Sequence, residues 1–234
     1  MQTAGLGRYR RDVFSQNGED GVIDEILKRL GIVTGWCCEF GAWDGKHLSN
    51  TYNLIRSGWK SVLIEGDPTR FGDLQKNFAA QQDDSAWLLN EFVAASGARS
   101  LDRLLQRTPI PTDFDLLSID IDGDDYHVWS ALDAYRPKIV VIEVESSIPP
   151  GIEQVPSTGR PGASFSSTLS LGARKGYKFV CHTGNMIFVR GDLAQAGSFP
   201  EVEHRPHAEL FDDYWLSGPQ KLRHRLKKRL HRYR

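Results

Sequence analysis

Two apolar segments of the sequence each end near an acid, and a glycine-bearing turn follows the first of them. Glu39 lies in the segment 36–40, and the turn covers residues 41–45. Glu65 ends the second segment, 24 residues after Gly41. A glycine turn lets the backbone approach a ligand and aims N–H groups at it, and an acid at this spacing is the usual partner of ribose hydroxyls. The pair favours a ligand that contains adenosine.

The turn departs from the dinucleotide fingerprint, because no glycine stands two residues after Gly41. A pyrophosphate needs that close approach of the backbone, and Glu39 would repel phosphate while suiting an ammonium group. S-adenosylmethionine is therefore favoured over NAD, and a nicotinamide-dependent oxidoreductase is the weaker alternative. The predicted cofactor-binding residues are Glu39, Gly41, Ala42, Asp44, Gly45, Glu65, Asp67 and Asp120.

Further carboxylates follow the fourth and fifth apolar segments. Asp120 and Asp122 alternate at the end of one segment, and Glu143 and Glu145 at the end of the other. In strand geometry each pair faces one side. Clustered carboxylates in a partly buried site need raised pKa values or a cation among them. If the two segments form neighbouring strands, two alternatives stay open: a divalent cation such as Mg²⁺ bound by Asp122, Glu143 and Glu145, or a cofactor-holding carboxylate and a second one acting as base.

Strand-like and helix-like segments alternate along the chain, which predicts an α/β fold with a mostly parallel sheet. Ligands of such sheets bind outside the carboxyl ends of the strands, so the acids above stand at suitable positions. The predicted strands are residues 36–40, 61–64, 86–89, 114–121 and 139–144, with a closing hairpin of 177–181 and 186–189. The predicted helices are residues 22–30, a segment from about 48, 68–79, 101–106 and 124–134.

Four sequence blocks resemble the FkbM-type branch of class I S-adenosylmethionine-dependent methyltransferases. They are residues 15–20, residues 39–45 with 49–51 and 58–59, residues 64–68, and residues 118–123 with 141–143. The resemblance implies a Rossmann-like class I methyltransferase fold, whose seven-stranded, mostly parallel sheet closes with an antiparallel hairpin and has its fourth and fifth strands adjacent. It also implies O-methylation, often of sugars in glycans, lipid-linked saccharides or natural products. The family usually has Asp where Glu39 stands and often has Pro where Gly66 stands.

Residues 121–126 are also similar to the metal-binding stretch of magnesium-dependent sugar O-methyltransferases of the macrolide-tailoring type. That similarity implies that Asp122 is a metal ligand. The second pair of ligands in that family is adjacent in sequence, whereas Glu143 and Glu145 here are separated by Val144.

A sugar hydroxyl is a weak nucleophile, so a base must take its proton as it attacks the methyl group. The candidate bases are Asp122, Glu145, His127 and His182. His182 follows a strand and precedes a turn, which predicts a position at the rim where an acceptor can reach it. A solvent-exposed loop histidine without a catalytic role is the alternative.

The charge is distributed unevenly along the chain. Residues 220–234 contain 8 Lys and Arg and no acid, so the remainder has 29 − 8 = 21 bases against 30 acids. We expect a methyltransferase domain over residues 1–219, with a substrate loop at 146–167, and a basic amphipathic helix over 220–234. Leu222, Leu226 and Leu230 recur in that helix, which suits an anionic membrane or an acidic partner. Nucleic acid is disfavoured because the body is acidic.

The sequence also sets expectations on location. No apolar run approaches the length that crosses a bilayer, the first residues lack the pattern of a signal peptide, and three cysteines do not make a disulfide framework. We expect a cytoplasmic protein, with the inner face of the membrane as a second location. The expected partner is a saccharide or glycosylated small molecule. A non-catalytic binding protein that retains the fold is the alternative function.

Overall fold

Seven strands form one sheet in the computed structural model, which describes residues 5–79, 85–121, 123–194, 198–203 and 205–231. The strands are β1 (Trp36–Phe40), β2 (Lys60–Glu65), β3 (Ala86–Asn90), β4 (Leu116–Ile119), β5 (Ile139–Glu143), β6 (Tyr177–His182) and β7 (Asn185–Arg190). Their order is β3-β2-β1-β4-β5-β7-β6. The first five are parallel, and β7 runs antiparallel to β5 and β6. This topology confirms the predicted fold class, including the adjacency of β4 and β5.

Seven α-helices accompany the sheet in the described part of the chain. They are α1 (Glu19–Leu30), α2 (Tyr52–Arg56), α3 (Pro68–Phe78), α4 (Leu101–Leu105), α5 (Asp125–Ala131), α6 (Phe165–Arg174) and α7 (Gly218–His231). Capping residues set the ends of two of these helices. Asp67 caps α3 by accepting N–H groups of its first turn, and Pro68 occupies the first helical position. Gly31 ends α1 in the left-handed conformation.

The central strands are buried on both faces, as expected for a parallel sheet covered by helices. Phe40 of β1 lies in register between Ile64 of β2 and Ile119 of β4, and all three are buried. The strand order runs outward in opposite directions from β1 and β4. Their carboxyl ends therefore form a topological switch point, where α/β sheets bind ligands.

The structure shortens several predicted elements around that point. β4 ends at Ile119 and β5 at Glu143, so the strand alternation predicted for the pairs Asp120/Asp122 and Glu143/Glu145 is wrong beyond those residues. Leu48, the predicted helix start, has φ +56°, so α2 begins only at Tyr52. The predicted substrate loop overlaps α6, which starts at Phe165 because Ser164 caps it.

Candidate functional site

Gly41 brings the ends of β1 and β4 together at the switch point. Its φ is +75°, and a Cβ at this position would lie 1.7 Å from the carbonyl oxygen of Asp120. The Asp120 N–H also donates to the carbonyl of Phe40 at 3.4 Å. Only glycine combines that conformation with such a close backbone contact. The turn after β1 is thus shaped by contact with β4 as well as by its own sequence.

Glu65 holds the same turn from β2. Its Oε2 accepts the backbone N–H of Trp43 at 2.7 Å, and its Oε1 accepts that of Asp67 at 2.7 Å. The residue is buried, so its carboxylate is oriented by the protein itself. Each carboxylate oxygen has a second acceptor position, which leaves capacity for ligand hydroxyls.

Glu39 organises the segment that precedes α2. It accepts hydrogen bonds from the Ser49 hydroxyl at 2.5 Å, the Asn50 backbone N–H at 2.9 Å and the Thr51 hydroxyl at 2.8 Å. Burial raises the pKa of Glu39, and these hydrogen bonds oppose part of that rise. Both carboxylate oxygens already have protein partners, so any contact with a ligand ammonium group would be an additional one.

A cavity of about 890 Å³ opens at the switch point, and acids predominate on its wall. The acidic residues that line it are Glu39, Glu65, Glu91, Asp120, Asp124 and Glu143. Arg70 is the only Lys or Arg among the described residues that line it. This charge balance disfavours a pyrophosphate and suits a ligand that carries positive charge.

One wall of this first cavity is aromatic. Trp43 adopts φ +51° and is 42% exposed, with the Arg70 guanidinium 4.1 Å from its ring centre. Phe92 is 62% exposed, and its ring would lie 2.3 Å from a Cβ added to Gly66, next to Glu65. The wall therefore pairs a hydroxyl acceptor with flat apolar surfaces. Phe92 was not predicted as a site residue, since it lies in a loop after the weakest of the predicted strands.

A second cavity of about 550 Å³ adjoins the first one. The two share Gln16, Asp120, Gly123, Glu143 and Pro161. The second is further lined by Asn17, Asp125, Val144, Glu145, Ser146, Ser147, Gly162, Gly184, Asn185 and Trp215. No Lys, Arg or His stands among these described lining residues, so amides, hydroxyls, carboxylates and one tryptophan define its chemistry.

The structure separates the predicted cofactor-binding residues into two groups. Glu39, Gly41, Ala42, Glu65 and Asp120 line the first cavity. Asp44, Gly45 and Asp67 do not. Asp44 instead accepts the N–H groups of Lys46 and His47, Gly45 packs against Leu74 and Phe78, and Asp67 caps α3. Whether these three residues contact a cofactor stays a prediction from sequence, and in the structure they shape the backbone around the first cavity.

Two predicted bases lie at the cavities. His127, in the first turns of α5, lines the first cavity, and its Nε2 lies 3.1 Å from the carbonyl oxygen of Pro156. A carbonyl only accepts, so Nε2 carries the proton and Nδ1 is the basic nitrogen of the neutral ring. Glu145 lines the second cavity and accepts from the hydroxyl of Ser147 at 2.6 Å.

The prediction that His182 stands at an accessible rim is wrong. The residue is 2% exposed and its ring stacks on Phe211 at 4.5 Å. Its Nδ1 accepts the backbone N–H of Asp212 at 2.9 Å, so Nε2 carries the proton and donates to the Ser146 hydroxyl at 2.9 Å. Both ring nitrogens are engaged in the interior, because β6 extends to His182 and the C-terminal segment covers it.

The predicted metal site gains no support. Asp122 lies outside the described residues. Asp125 accepts the N–H groups of Ile121 and Gly123 at 2.8 and 3.0 Å. Within the described parts of the chain, no group of three or more His, Cys, Asp or Glu side chains is arranged to hold a metal ion. The roles of Asp122 as ligand or base stay predictions from sequence.

The segment before α1, which includes the first of the four sequence blocks, contributes residues to both cavities. Gln16 lines both cavities and Asn17 lines the second. Asp20 positions this segment by accepting the N–H groups of Val13, Phe14 and Ser15. The loop after β5 contributes Pro156, Ser157, Thr158 and Pro161 to the first cavity. The predicted loop therefore lies against the site at which we expected a substrate.

No helix in the described ranges combines the length and the apolar composition needed to cross a membrane.

Comparisons with solved structures return chains of low sequence identity. A proposed sarcosine dimethylglycine methyltransferase from Galdieria sulphuraria is 12% identical, with 68% of this chain and 61% of that chain covered and a TM-score of 0.46. A proposed S-adenosylmethionine-dependent methyltransferase from Methanococcus maripaludis is 12% identical, with 77% and 95% covered and a TM-score of 0.45. The N-terminal domain of EvdMO1 with SAH bound is 11% identical, with 75% and 80% covered and a TM-score of 0.45. This chain thus spans less than two thirds of the length of the first of these structures.

A search of curated proteins found no significant match. Residues 96–179 match the family model of the methyltransferase FkbM domain. The matched region extends from before α4 to β6 and includes the ends of β4 and β5, whereas the glycine turn and Glu65 precede it. The match confirms the resemblance to the FkbM family over residues 96–179, which include the fourth sequence block, residues 118–123 with 141–143.

Proposed function

We propose that this protein transfers a methyl group from S-adenosylmethionine to a hydroxyl group of a saccharide. The observation that carries the cofactor half of the proposal is Glu65. Its carboxylate is held by two backbone N–H groups at the wall of the first cavity, beside the apolar surface of Phe92. An oriented acid next to an aromatic ring matches the ribose and adenine of an adenosine.

The charges on the wall of the first cavity fit the rest of the cofactor. Glu39, Asp120 and Glu143 would face its ammonium and sulfonium groups. Among the described residues that line the cavity, six are acids and only Arg70 is a Lys or Arg, so the positive charge of the cofactor would meet an excess of acidic side chains. When bound, S-adenosylmethionine supplies an electrophilic methyl carbon with a thioether as leaving group. The protein's task is then to position the acceptor and to take its proton.

The second cavity supports a neutral polyhydroxylated acceptor. Asn17, Ser147 and Asn185 offer amide and hydroxyl groups, and Trp215 offers an aromatic face for a sugar ring. Its carboxylates disfavour a ring that carries phosphate or carboxylate. Uronic acids and sugar phosphates are therefore the least suitable acceptors.

His127 is the base we favour among the described residues. The Pro156 carbonyl holds the proton on Nε2, so Nδ1 has the free lone pair. In the proposed reaction His127 would take the proton of the acceptor hydroxyl as that oxygen attacks the methyl group that bound S-adenosylmethionine would supply, with the thioether as the leaving group. Glu145 and Asp122 are the other candidates. A divalent cation near Asp122 belongs to this proposal only as a sequence-based prediction.

The test combines a binding measurement with an acceptor screen. Calorimetry should show binding of S-adenosylmethionine and S-adenosylhomocysteine and none of NAD(H). With neutral glycosides, amino sugars and uronic acids as acceptors, S-adenosylhomocysteine should form with neutral sugars, and His127→Gln should lower turnover about 100-fold. Chelation with EDTA tests the cation, because magnesium should restore activity if one is required. Cofactor binding without transfer to any acceptor would support a non-catalytic protein.

A further inference from the structure

The C-terminal part of the chain joins a strongly basic helix to exposed aromatic and apolar side chains. Eight Lys and Arg and no acid occur in residues 220–234, and α7 begins at Gly218. Tyr214 is 70% exposed, Leu222 is 62% exposed, and Trp215 is 37% exposed. We call the surface formed by Tyr214, Trp215, Lys221, Leu222 and Arg223 the α7 face.

The helix is attached to the methyltransferase domain along its other side. His224 is buried and packs on Phe211, with ring centres 5.4 Å apart. Arg225 pairs with Asp213 at 2.7 Å, and the Gln220 side chain donates to the carbonyl of Ser147 at 3.4 Å. These contacts fix which side of the first turns faces the protein, and they leave Leu222 and Arg223 facing outward.

The α7 face combines the groups that interact with a lipid–water interface. Tyrosine and tryptophan favour the headgroup region, and Lys or Arg beside them is attracted to anionic lipid. The Lys221 Nζ lies 5.6 Å from the Tyr214 ring centre, so cation and ring are already side by side. In the sequence, leucine recurs every four residues at positions 222, 226 and 230.

Charge complementarity distinguishes a membrane from other polyanions. The rest of the chain has 21 Lys and Arg against 30 acids, a net charge of −9. A long nucleic acid would extend past the helix along this acidic body and be repelled. A membrane meets the protein only at the face that approaches it, and acids farther from the lipid than the screening length of about 10 Å repel it weakly.

We propose that the α7 face docks this protein on an anionic membrane surface. Trp215 belongs both to this face and to the wall of the second cavity. An acceptor saccharide attached to a lipid would therefore meet the cavity at the docked surface. That last point rests on the proposed function, whereas membrane docking does not.

Sedimentation with vesicles tests the proposal on the full chain. Vesicles of phosphatidylcholine with about 30% phosphatidylglycerol should bind the protein at 50 mM salt, and pure phosphatidylcholine should not. Binding to the mixed vesicles should fall at 500 mM salt. The triple variant Arg223→Gln, Lys227→Gln, Lys228→Gln, which leaves the Arg225–Asp213 pair intact, should bind about 10-fold more weakly or worse. Tyr214→Ser should weaken binding a few-fold at both salt concentrations.

A matched control removes the same charge elsewhere. Lys76→Gln, Arg99→Gln and Arg103→Gln neutralise three exposed residues outside α7 and should leave vesicle binding unchanged. Unchanged melting temperature and S-adenosylhomocysteine affinity would show that both triple variants fold, independently of whether methyl transfer occurs. Equal losses in the two triple variants, equal binding to neutral vesicles, or tight binding of a 20-nucleotide RNA without vesicle binding would each overturn the proposal.

Discussion

The backbone N–H of Trp43 donates to the carboxylate of Glu65 at 2.7 Å, so an acid at the end of β2 fixes the turn that follows β1. The two segments of the sequence that looked suited to adenosine are thus one structural unit. Since the same carboxylate also accepts from Asp67, its position does not depend on a ligand.

Glu65→Ala should weaken S-adenosylmethionine binding at least about 10-fold, because two charge-assisted hydrogen bonds to ribose contribute roughly 1.5–3 kcal/mol each. Isothermal calorimetry measures the dissociation constant. Asp73→Ala, an acid-to-alanine change in α3 outside the cavity lining, is the control and should leave the constant unchanged. A dissociation constant that does not change in Glu65→Ala would contradict the assignment of the first cavity to the cofactor.

Phe92→Ala should weaken cofactor binding by roughly 3- to 10-fold, since a stacked ring contributes about 0.5–1.5 kcal/mol. Because the ring is largely exposed, its removal should barely change the melting temperature. Val33→Ala truncates another exposed apolar side chain and is the control. If Phe92→Ala lowered stability and left the affinity as it was, the ring would be a packing residue.

His182→Ala should destabilise the protein by about 2–4 kcal/mol and leave cofactor affinity nearly unchanged. The change removes a stacked ring and leaves the Asp212 N–H without its acceptor and the Ser146 hydroxyl without its donor. Urea unfolding at neutral pH measures the loss. Full stability together with lost turnover would restore the catalytic role that the sequence suggested for this histidine.

The sequence predicted the sheet well because hydrophobic runs and glycine-marked turns are local signals. Residues 62–64 of β2 and 139–142 of β5 are continuously apolar, as expected for parallel strands that are buried on both faces. The structure places Glu39, Glu65 and Asp120, which we predicted to bind the cofactor, on the wall of the first cavity, because the carboxyl end of a parallel strand marks the ligand edge.

The sequence did not predict the surroundings of residues whose contacts come from segments distant along the chain. His182 is buried because Phe211 and Asp212 cover it from a segment about 30 residues later, and no local pattern indicates that. Phe92 becomes a wall residue only because Gly66 leaves room for its ring. Asp44 and Asp67 have the residue types of ligand-binding groups, but their nearest N–H donors are in their own turns.

The last prediction concerns the pair Arg29–Glu201, which ties α1 to the segment before the C-terminal region. Two guanidinium nitrogens donate to the Glu201 carboxylate at 2.9 Å each. The hydrogen bonds with Arg29 lower the pKa of Glu201 from its ordinary value of 4.5. A lowered pKa in the folded state stabilises the protein above pH 4.5, and that contribution is lost as the pH falls through the lowered value.

Glu201→Gln should therefore reduce the free energy of unfolding by about 1–3 kcal/mol at pH 7, and the difference from wild type should shrink below about pH 4. Urea titrations between pH 3.5 and 7 measure this difference, with Glu153→Gln, an exposed acid in the loop after β5, as control. A difference that is the same at every pH would mean that Glu201 contributes through packing and neutral hydrogen bonds, without a contribution from its charge.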